Sequence, residues 1–509
     1  MTRTSLRLLV SLFVLPVVGC GPPKEHPVGI PPAATDRPSD GGGGGEGFGD
    51  EDDFEDDEDE DEDDGGFGPA PTTAAAPTPA WMVQASQKIT AHAQGKTRAW
   101  DRLAEMTDAF GHRLSGSKAL ENAIDWAVDR MAKDGLANAR REKVMVPHWV
   151  RGSESLHVTA PIERELTILG LGMSVGTRGT LKGEVAVVDH VDDIAKRGAA
   201  LKGKIVLINQ KMPPYDAKGG GSHYGQTVQA RSRGASEAAK VGAKGVLVRS
   251  VTAVSLGTPH TGALSYEEGV AKLPAAAVTH EGAQLLSRLV GRGETVRVAL
   301  KMGAKQLPDA VSGNAIAELV GREKPDEVVV IGGHIDSWDV GDGSSDDGAG
   351  CLMAMEAALM LKELGLVPRR TIRVVLFTNE ENGLRGGKAY FEAHGSEVHV
   401  GAIESDSGAG AATGLGVKTD DAKKLAEVIG WAPLFSGMKA DTISAGWGGA
   451  DISPLTNSGV LSMSVRPDAS HYFDLHHSPA DTIDKIDPAH LQTNAATMAL
   501  MAYLLAEAE

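Results

Sequence analysis

The chain has 509 residues, a formal net charge of −19 at pH 7, 41% hydrophobic residues and two cysteines. So few cysteines exclude a disulfide-stapled scaffold, and with aromatics at 4% and no basic patch nothing marks a nucleic-acid binder. Fifteen acids lie between Glu46 and Asp64; without them the charge falls from −19 to −4, so the acidity belongs to one segment and not to a surface that selects partners.

Arg3 and Arg7 precede the apolar stretch Leu8–Val18, which is too short to span a bilayer and has signal-peptide proportions, so residues 1–19 are expected to be removed. Small residues before Cys20, in Val17-Val18-Gly19-Cys20, resemble a bacterial lipobox. That implies a lipid anchor on Cys20 and a protein exported from a bacterial cell to the outer membrane, periplasm or cell surface. Gly21, not aspartate, follows, so retention in the inner membrane is not indicated. A chance cysteine at the end of a signal peptide is the plainer alternative. Residues 20–80, with Gly41–Gly45 and an acidic run from Asp50 to Asp64 broken only by Phe54, cannot bury enough apolar surface to fold. They are expected to form a tether spanning roughly 40 Å or more. A calcium loop would need glycine-punctuated spacing that the run lacks.

About 430 residues remain, enough for two domains. Between Leu166 and Ala304, Leu201-Lys-Gly-Lys-Ile-Val-Leu-Ile-Asn reads as a strand, and Gly234-Ala-Ser-Glu-Ala-Ala-Lys-Val-Gly-Ala as a helix running into Gly245-Val-Leu-Val. Pro259-His260-Thr261-Gly262, taken alone, reads as a surface turn.

Chemistry concentrates further on. The apolar run Val328–Ile331 reads as a buried parallel strand that breaks into glycines and His334. Arg373-Val-Val-Leu-Phe-Thr-Asn leads into Glu380-Glu381, and Val400-Gly-Ala-Ile-Glu-Ser leads into Asp406. Helix-length segments, Ala349–Leu364 and Leu384–His394, separate them. The alternation predicts an α/β fold with a mostly parallel sheet, helices on both faces and ligands at the strands' carboxyl ends. Imidazole and carboxylate suit zinc, and two ions about 3.5–4 Å apart need a bridging carboxylate and terminal ligands on each side. Asp346, expected at a helix start, suits the bridge. His334 and Asp406 are assigned to one ion, Glu381 and His477 to the other, with a water between the ions as nucleophile and Glu380 as general base. Asp336 would orient His334 through its carboxylate. Cobalt and manganese would also suit these ligands. Each motif alone is weak; their order and contexts together are not.

Those residues, with Arg102-Leu-Ala-Glu-Met-Thr-Asp, Gly111-His-Arg-Leu-Ser-Gly-Ser, Pro147-His-Trp-Val-Arg-Gly, Gly333-His-Ile-Asp-Ser-Trp-Asp-Val-Gly and His476-His-Ser-Pro-Ala-Asp-Thr, resemble the co-catalytic zinc peptidases that include bacterial aminopeptidases and glutamate carboxypeptidases, most closely the carboxypeptidase Q group. The resemblance covers nearly everything after residue 85. It implies a catalytic domain split into 81–165 and 305–509 around an inserted, smaller protease-associated α/β domain, 166–304, that can wall the substrate cleft, which makes Pro259-His260-Thr261-Gly262 a candidate rim element. It also implies two zinc ions on His334, Asp346, Glu381, Asp406 and His477, the base Glu380, and a homodimer. The family pattern favours His477 over its neighbour as ligand, with Asp481 as its supporting carboxylate. His476 is then a candidate for stabilising the oxyanion, with Tyr472 and His471 as alternatives. Gly111-His112-Arg113 stands where the family has Gly-Pro-Arg, and Gly341-Asp342-Gly343 where it has Gly-Gln-Gly; neither touches an expected ligand. Asp342 adds negative charge near the metals.

The resemblance implies hydrolysis of dipeptides or short peptides with free termini; an aminopeptidase is the alternative, since the same metal centre serves both. Glu404 and Asp451 are candidate partners for a substrate amine, Arg466 and Arg385 for a carboxylate. A non-catalytic binding protein of the transferrin-receptor type is disfavoured because all five ligands and the base are present. Cys351, left without a partner if Cys20 is lipidated, is expected to be a buried small hydrophobe.

Overall fold

The structure is a computed structural model and describes residues 78–217 and 221–509; the expected signal peptide, Cys20 and most of the expected tether lie outside the described residues. Among these residues the strands form two eight-stranded sheets. The first runs, in spatial order, Ala137–Val150, Lys305–Leu319, Arg370–Phe377, Lys324–His334, Val398–Glu404, Ser462–Pro467, Ala412–Lys418 and Thr442–Ala445. Its four central strands, from Arg370–Phe377 to Ser462–Pro467, are parallel. Ala412–Lys418 and Thr442–Ala445 are parallel too, so the sheet is mostly parallel, as expected, with antiparallel pairing confined to the two long strands at one side and to Ala412–Lys418 against Ser462–Pro467. Burial suits the antiparallel flank. Residues 312–318 of the strand Lys305–Leu319 are buried while 305–311 are largely exposed, and an antiparallel ribbon tolerates a solvated stretch that a parallel strand covered by crossovers does not.

Successive residues of the strand Lys324–His334 serve opposite faces. Val329 and Ile331 pack into the core made with helices Ala80–Ala93, Arg98–Phe110, Lys118–Lys133, Ala349–Glu363 and Pro488–Glu507. Val328 and Val330 meet Phe377, Tyr390 and Leu455 on the other side. Helix Ala349–Glu363 is buried along all of residues 349–361, Cys351 included, and behaves as a core helix with no wet face.

The second sheet runs Arg164–Leu166, Glu154–Ala160, Arg297–Met302, Leu181–Val188, Ile205–Ile208, Gly245–Arg249, Ala275–Val278 and Ile168–Gly170. The four strands from Leu181–Val188 to Ala275–Val278 are parallel. Its first strand in the chain begins at Glu154, so a boundary at residue 166 falls inside this sheet. The chain leaves the first sheet along Ala137–Val150 and returns along Lys305–Leu319, and these two strands pair throughout, with Val150 opposite Lys305. No helix among the described residues is long and apolar enough to cross a membrane.

Candidate metal centre

Three adjacent parallel strands end at one edge. His334 closes the strand Lys324–His334, Glu380 and Glu381 follow Phe377, and Asp406 follows Glu404. Asp346 is not on a helix start as expected. It lies in an irregular turn, 344–348, with φ −125° and ψ 90°, ahead of helix Ala349–Glu363. The turn is held from two sides. Asp481 accepts the amides of Ser345 at 2.7 Å and Asp346 at 3.1 Å. Arg113, wholly buried, donates to the carbonyls of Ile335 (2.7 Å), Gly111 (3.0 Å), Asp342 (2.7 Å) and Gly343 (2.8 Å). A guanidinium can serve several carbonyls at once because its donors form a rigid fork.

The two oxygens of Asp346 face two half-sites. Oδ1 lies 3.3 Å from His334 Nε2, which is also 3.6 Å from Asp406 Oδ1 and 4.0 Å from Glu380 Oε2. Oδ2 lies 3.3 Å from His477 Nε2, itself 3.0 Å from Glu381 Oε2. A cavity of about 10 Å³, close to the size of one water, is lined on this second side by Asp346, Glu381 and His477 among others. His334 Nδ1 donates to the Asp336 carbonyl at 3.1 Å, which fixes the tautomer and leaves Nε2 with a bare lone pair. That Nε2 and Asp346 Oδ2 are buried without a hydrogen-bond partner.

The electrostatics point the same way. Burial and the Asp406 and Glu381 charges hold the Glu380 carboxyl well above its usual range, and burial with the Asp346 charge pushes Glu381 up to about 7. Burial, with the charge of Asp406, likewise lifts Glu404 to about 7. Asp346 runs the other way: burial opposes its ionisation, but the adjoining imidazoles of His334 and His477 outweigh that and hold it well below. So many buried carboxylates cannot all ionise on the protein's own cations, and oxygen and imidazole donors with orphaned lone pairs suit divalent zinc.

Some expected roles change. The Asp336 carboxylate stands 3.8 Å from His334 Nδ1, too far for a hydrogen bond, so the imidazole is oriented by the backbone carbonyl. The carboxylate instead accepts the Glu380 amide at 3.0 Å and the Ser115 hydroxyl at 3.3 Å. Asp481 supports the Asp346 turn and not His477. Facing His477 Nδ1 is Arg231 Nη1, at 3.3 Å, from helix Tyr224–Ser232 of the second-sheet region. No spacing or motif announced Arg231. The second-sheet region contributes more: His260 Nδ1 donates to the His476 carbonyl at 2.7 Å, and Thr261 N donates to the His477 carbonyl at 2.9 Å, so the flagged tetrapeptide does meet the site. His477 needs this support, since its φ is 57°.

His476 stacks on His477 at 3.5 Å between ring centroids, and burial keeps its imidazole neutral. Tyr472 reaches Asp406 Oδ1 with its hydroxyl at 3.3 Å. His471 is instead turned to Asp474 and exposed. Arg466 donates to Ser444 Oγ at 3.0 Å, two strands away at the edge of the first sheet. Glu404 is occupied by the amides of Asp451 and Ile452 at 3.4 and 3.1 Å, which removes it as a free amine partner. Trp338 stands edge-on to His477 and packs against Gly172, where even a methyl group would meet its ring at 1.9 Å.

Residues 314–502, which carry all five candidate ligands, match the family model described as peptidase family M28. Carboxypeptidase Q of Bos taurus is 40% identical over 425 residues, 83% of this chain and 88% of the relative, and the Homo sapiens protein of that name is 39% identical over 427. A solved peptidase M28 precursor from Shewanella amazonensis superposes with a TM-score of 0.81 at 36% identity, covering 84% of this chain and 97% of the other. A zinc aminopeptidase from Bacillus subtilis shares the fold, with a TM-score of 0.60 at 21% identity over 80% and 95% of the two chains.

Proposed function

The chain belongs to peptidase family M28 and is a zinc exopeptidase acting on peptides, and from that premise we propose that it is a two-ion metallodipeptidase or carboxypeptidase of the carboxypeptidase Q kind. The observation that carries the reading is Asp346, with one oxygen 3.3 Å from His334 Nε2 and the other 3.3 Å from His477 Nε2. His334 and Asp406 would hold one ion, Glu381 and His477 the other, and Asp346 both. When bound, such ions supply Lewis acidity, polarising the scissile carbonyl and bringing the pKa of water towards about 7.

The remaining work falls to the chain's own groups. Glu380, its basicity raised by burial, receives a proton and returns it to the leaving amine. The Asp336 carboxylate, on the Glu380 amide, fixes where that base stands. Tyr472 and neutral His476 offer hydrogen bonds to an oxyanion. The second-sheet region, read as a protease-associated insert, closes one wall through His260, Thr261 and Arg231. A lipid on Cys20 and the acidic tether would hold the enzyme at a membrane surface, and a homodimer is the expected assembly, checked by light scattering.

Purified protein with added zinc is to be tested on unblocked, N-blocked and C-blocked dipeptides, beside a Glu380→Gln control. Cleavage of unblocked dipeptides, lost on blocking the carboxyl end and absent from the control, supports the reading. Tolerance of a blocked carboxyl end makes the protein an aminopeptidase. Binding without any cleavage removes the enzyme reading.

A further inference from the structure

One arginine ties the second-sheet region to the loop that follows His334. Arg151 comes directly after the strand Ala137–Val150, and it and its partner Asp339 are largely buried, with side chains 10% and 17% exposed. Arg151 Nε donates to Asp339 Oδ2 at 2.8 Å and Nη2 to Asp339 Oδ1, a two-pronged pair. Nη1 donates to the Gly170 carbonyl, and Nη2 also reaches the Thr261 hydroxyl at 3.4 Å. That hydroxyl donates to the same Gly170 carbonyl at 2.8 Å. A planar guanidinium can serve a carboxylate, a carbonyl and a hydroxyl at once; the ammonium of a lysine would bring only a point charge.

Two of the segments gripped by this fork run straight into one half-site. Next to Asp339, the Trp338 amide donates to Glu381 Oε1 at 3.2 Å, and the Trp338 ring stands 5.7 Å from the His477 ring. On the other side, the Thr261 amide donates to the His477 carbonyl at 2.9 Å. The other half-site is held differently, His334 by the Asp336 carbonyl and Asp406 by the Tyr472 hydroxyl. An ion pair that merely fastened two lobes together would not favour one half-site in this way. The backbone also leaves little slack: a methyl group on Gly152, φ 69°, would stand 2.7 Å from the Gly303 carbonyl, so the crossing is too tight to shift and replace a lost fork.

We propose that Arg151 is a positioning residue for the second half-site: through Asp339 and Thr261 it holds Glu381 and His477 at the separation an ion needs, so that binding there depends on how the second-sheet region is seated. This rests on the two-ion reading above and deepens it. Coupling between two binding events is reciprocal, so an ion on Glu381 and His477 in turn holds the second-sheet region in place. The half-site of His334 and Asp406 is indifferent to the fork.

The test reads each half-site alone, on the full chain. Asp406→Asn confines zinc to Glu381 and His477, Glu381→Gln confines it to His334 and Asp406, and zinc affinity is measured by chelator competition. Adding Arg151→Met is expected to weaken zinc by about 10–100-fold in the first background and by less than about threefold in the second. Arg151→Lys, which restores the charge without the fork, should recover most of the lost Tm but not the affinity. Equal losses in the two backgrounds, no loss in either, or affinity rescued by lysine overturns the inference and leaves an ordinary structural ion pair. A wild type that binds fewer than two ions ends the two-ion reading, and the metal-free protein then decides. Hydrogen exchange about tenfold or more faster at the Trp338 and Thr261 amides in Arg151→Met, with the strand Lys324–His334 unchanged, upholds the positioning role; unchanged or uniformly faster exchange sinks it. Should Arg151→Met not fold, Arg151→Met with Asp339→Asn, which leaves no unpaired buried charge, takes its place in every comparison.

Discussion

Replacing Asp336 by alanine separates two ways of building this centre. The imidazole of His334 is held by the Asp336 carbonyl at 3.1 Å, and that carbonyl survives the substitution, whereas the carboxylate at 3.8 Å makes no bond to the ring. What the substitution removes is the acceptor for the Glu380 amide and the Ser115 hydroxyl. An amide left buried and unpaired costs about 1–3 kcal/mol, and because the freed segment carries the base, most of that should appear in the transition state. A loss of 1.4–2.7 kcal/mol corresponds to about a 10- to 100-fold fall in kcat. Zinc affinity should change less than about fivefold, since loss of a true imidazole partner typically costs about 10–100-fold. The assay is kcat on zinc-saturated protein, with zinc dissociation measured by chelator competition. A tenfold or larger loss of affinity with kcat intact would refute the assignment and restore the carboxylate as the partner of His334.

Asp346→Ala should strip zinc from both half-sites, while Asp406→Asn leaves about one ion per chain; elemental analysis after dialysis distinguishes them, and equal retention contradicts the shared role of Asp346. Gly172→Ala sets a methyl group against the Trp338 ring and should cost about 1–3 kcal/mol, read as a lowered Tm together with weaker zinc retention at His477. Burial lowers the pKa of His260 to about 4 from 6.5, so its contribution is complete above pH 6.5 and is lost as pH falls from there to about 4. At about 1.4 kcal/mol per unit this amounts to roughly 3 kcal/mol, and His260→Asn, which keeps a donor for the His476 carbonyl, should flatten the fall of the urea midpoint between pH 6.5 and 4.5. An unchanged slope rules out His260 as the source.

The candidate cluster was legible because strand ends write themselves into sequence: Val328–Ile331, Arg373–Phe377 and Val400–Glu404 are apolar runs that stop where His334, Glu380, Glu381 and Asp406 begin, and the structure brings all of these together with Asp346 and His477. What was not legible falls into two kinds. Arg231 meets His477 across 246 positions of sequence, a contact set by how the second sheet sits on the turn, which no local pattern encodes. The carbonyl of Asp336, the amides on Glu404 and the buried, unpartnered carboxylate of Asp451 are matters of side-chain rotation, invisible to spacing. The antiparallel flank of the first sheet escaped for a third reason: pairing of Ala137–Val150 with Lys305–Leu319 joins segments separated by the whole insert.

That pairing also makes the second sheet a module on a two-strand stalk. Where Val150 faces Lys305 the two crossings of the chain are neighbours, so the insert could be excised and its stumps joined by a short turn at little entropic cost, leaving the first sheet and its helices whole. Such a minimal protein would nonetheless lose Arg231, His260 and Thr261 together, and with them the grip on the strained His477 turn. Modularity of the chain and modularity of the site therefore part company here: the piece that is easiest to graft out is the one that holds the last candidate ligand in place, so a lineage could exchange this insert freely only by finding another way to hold that histidine.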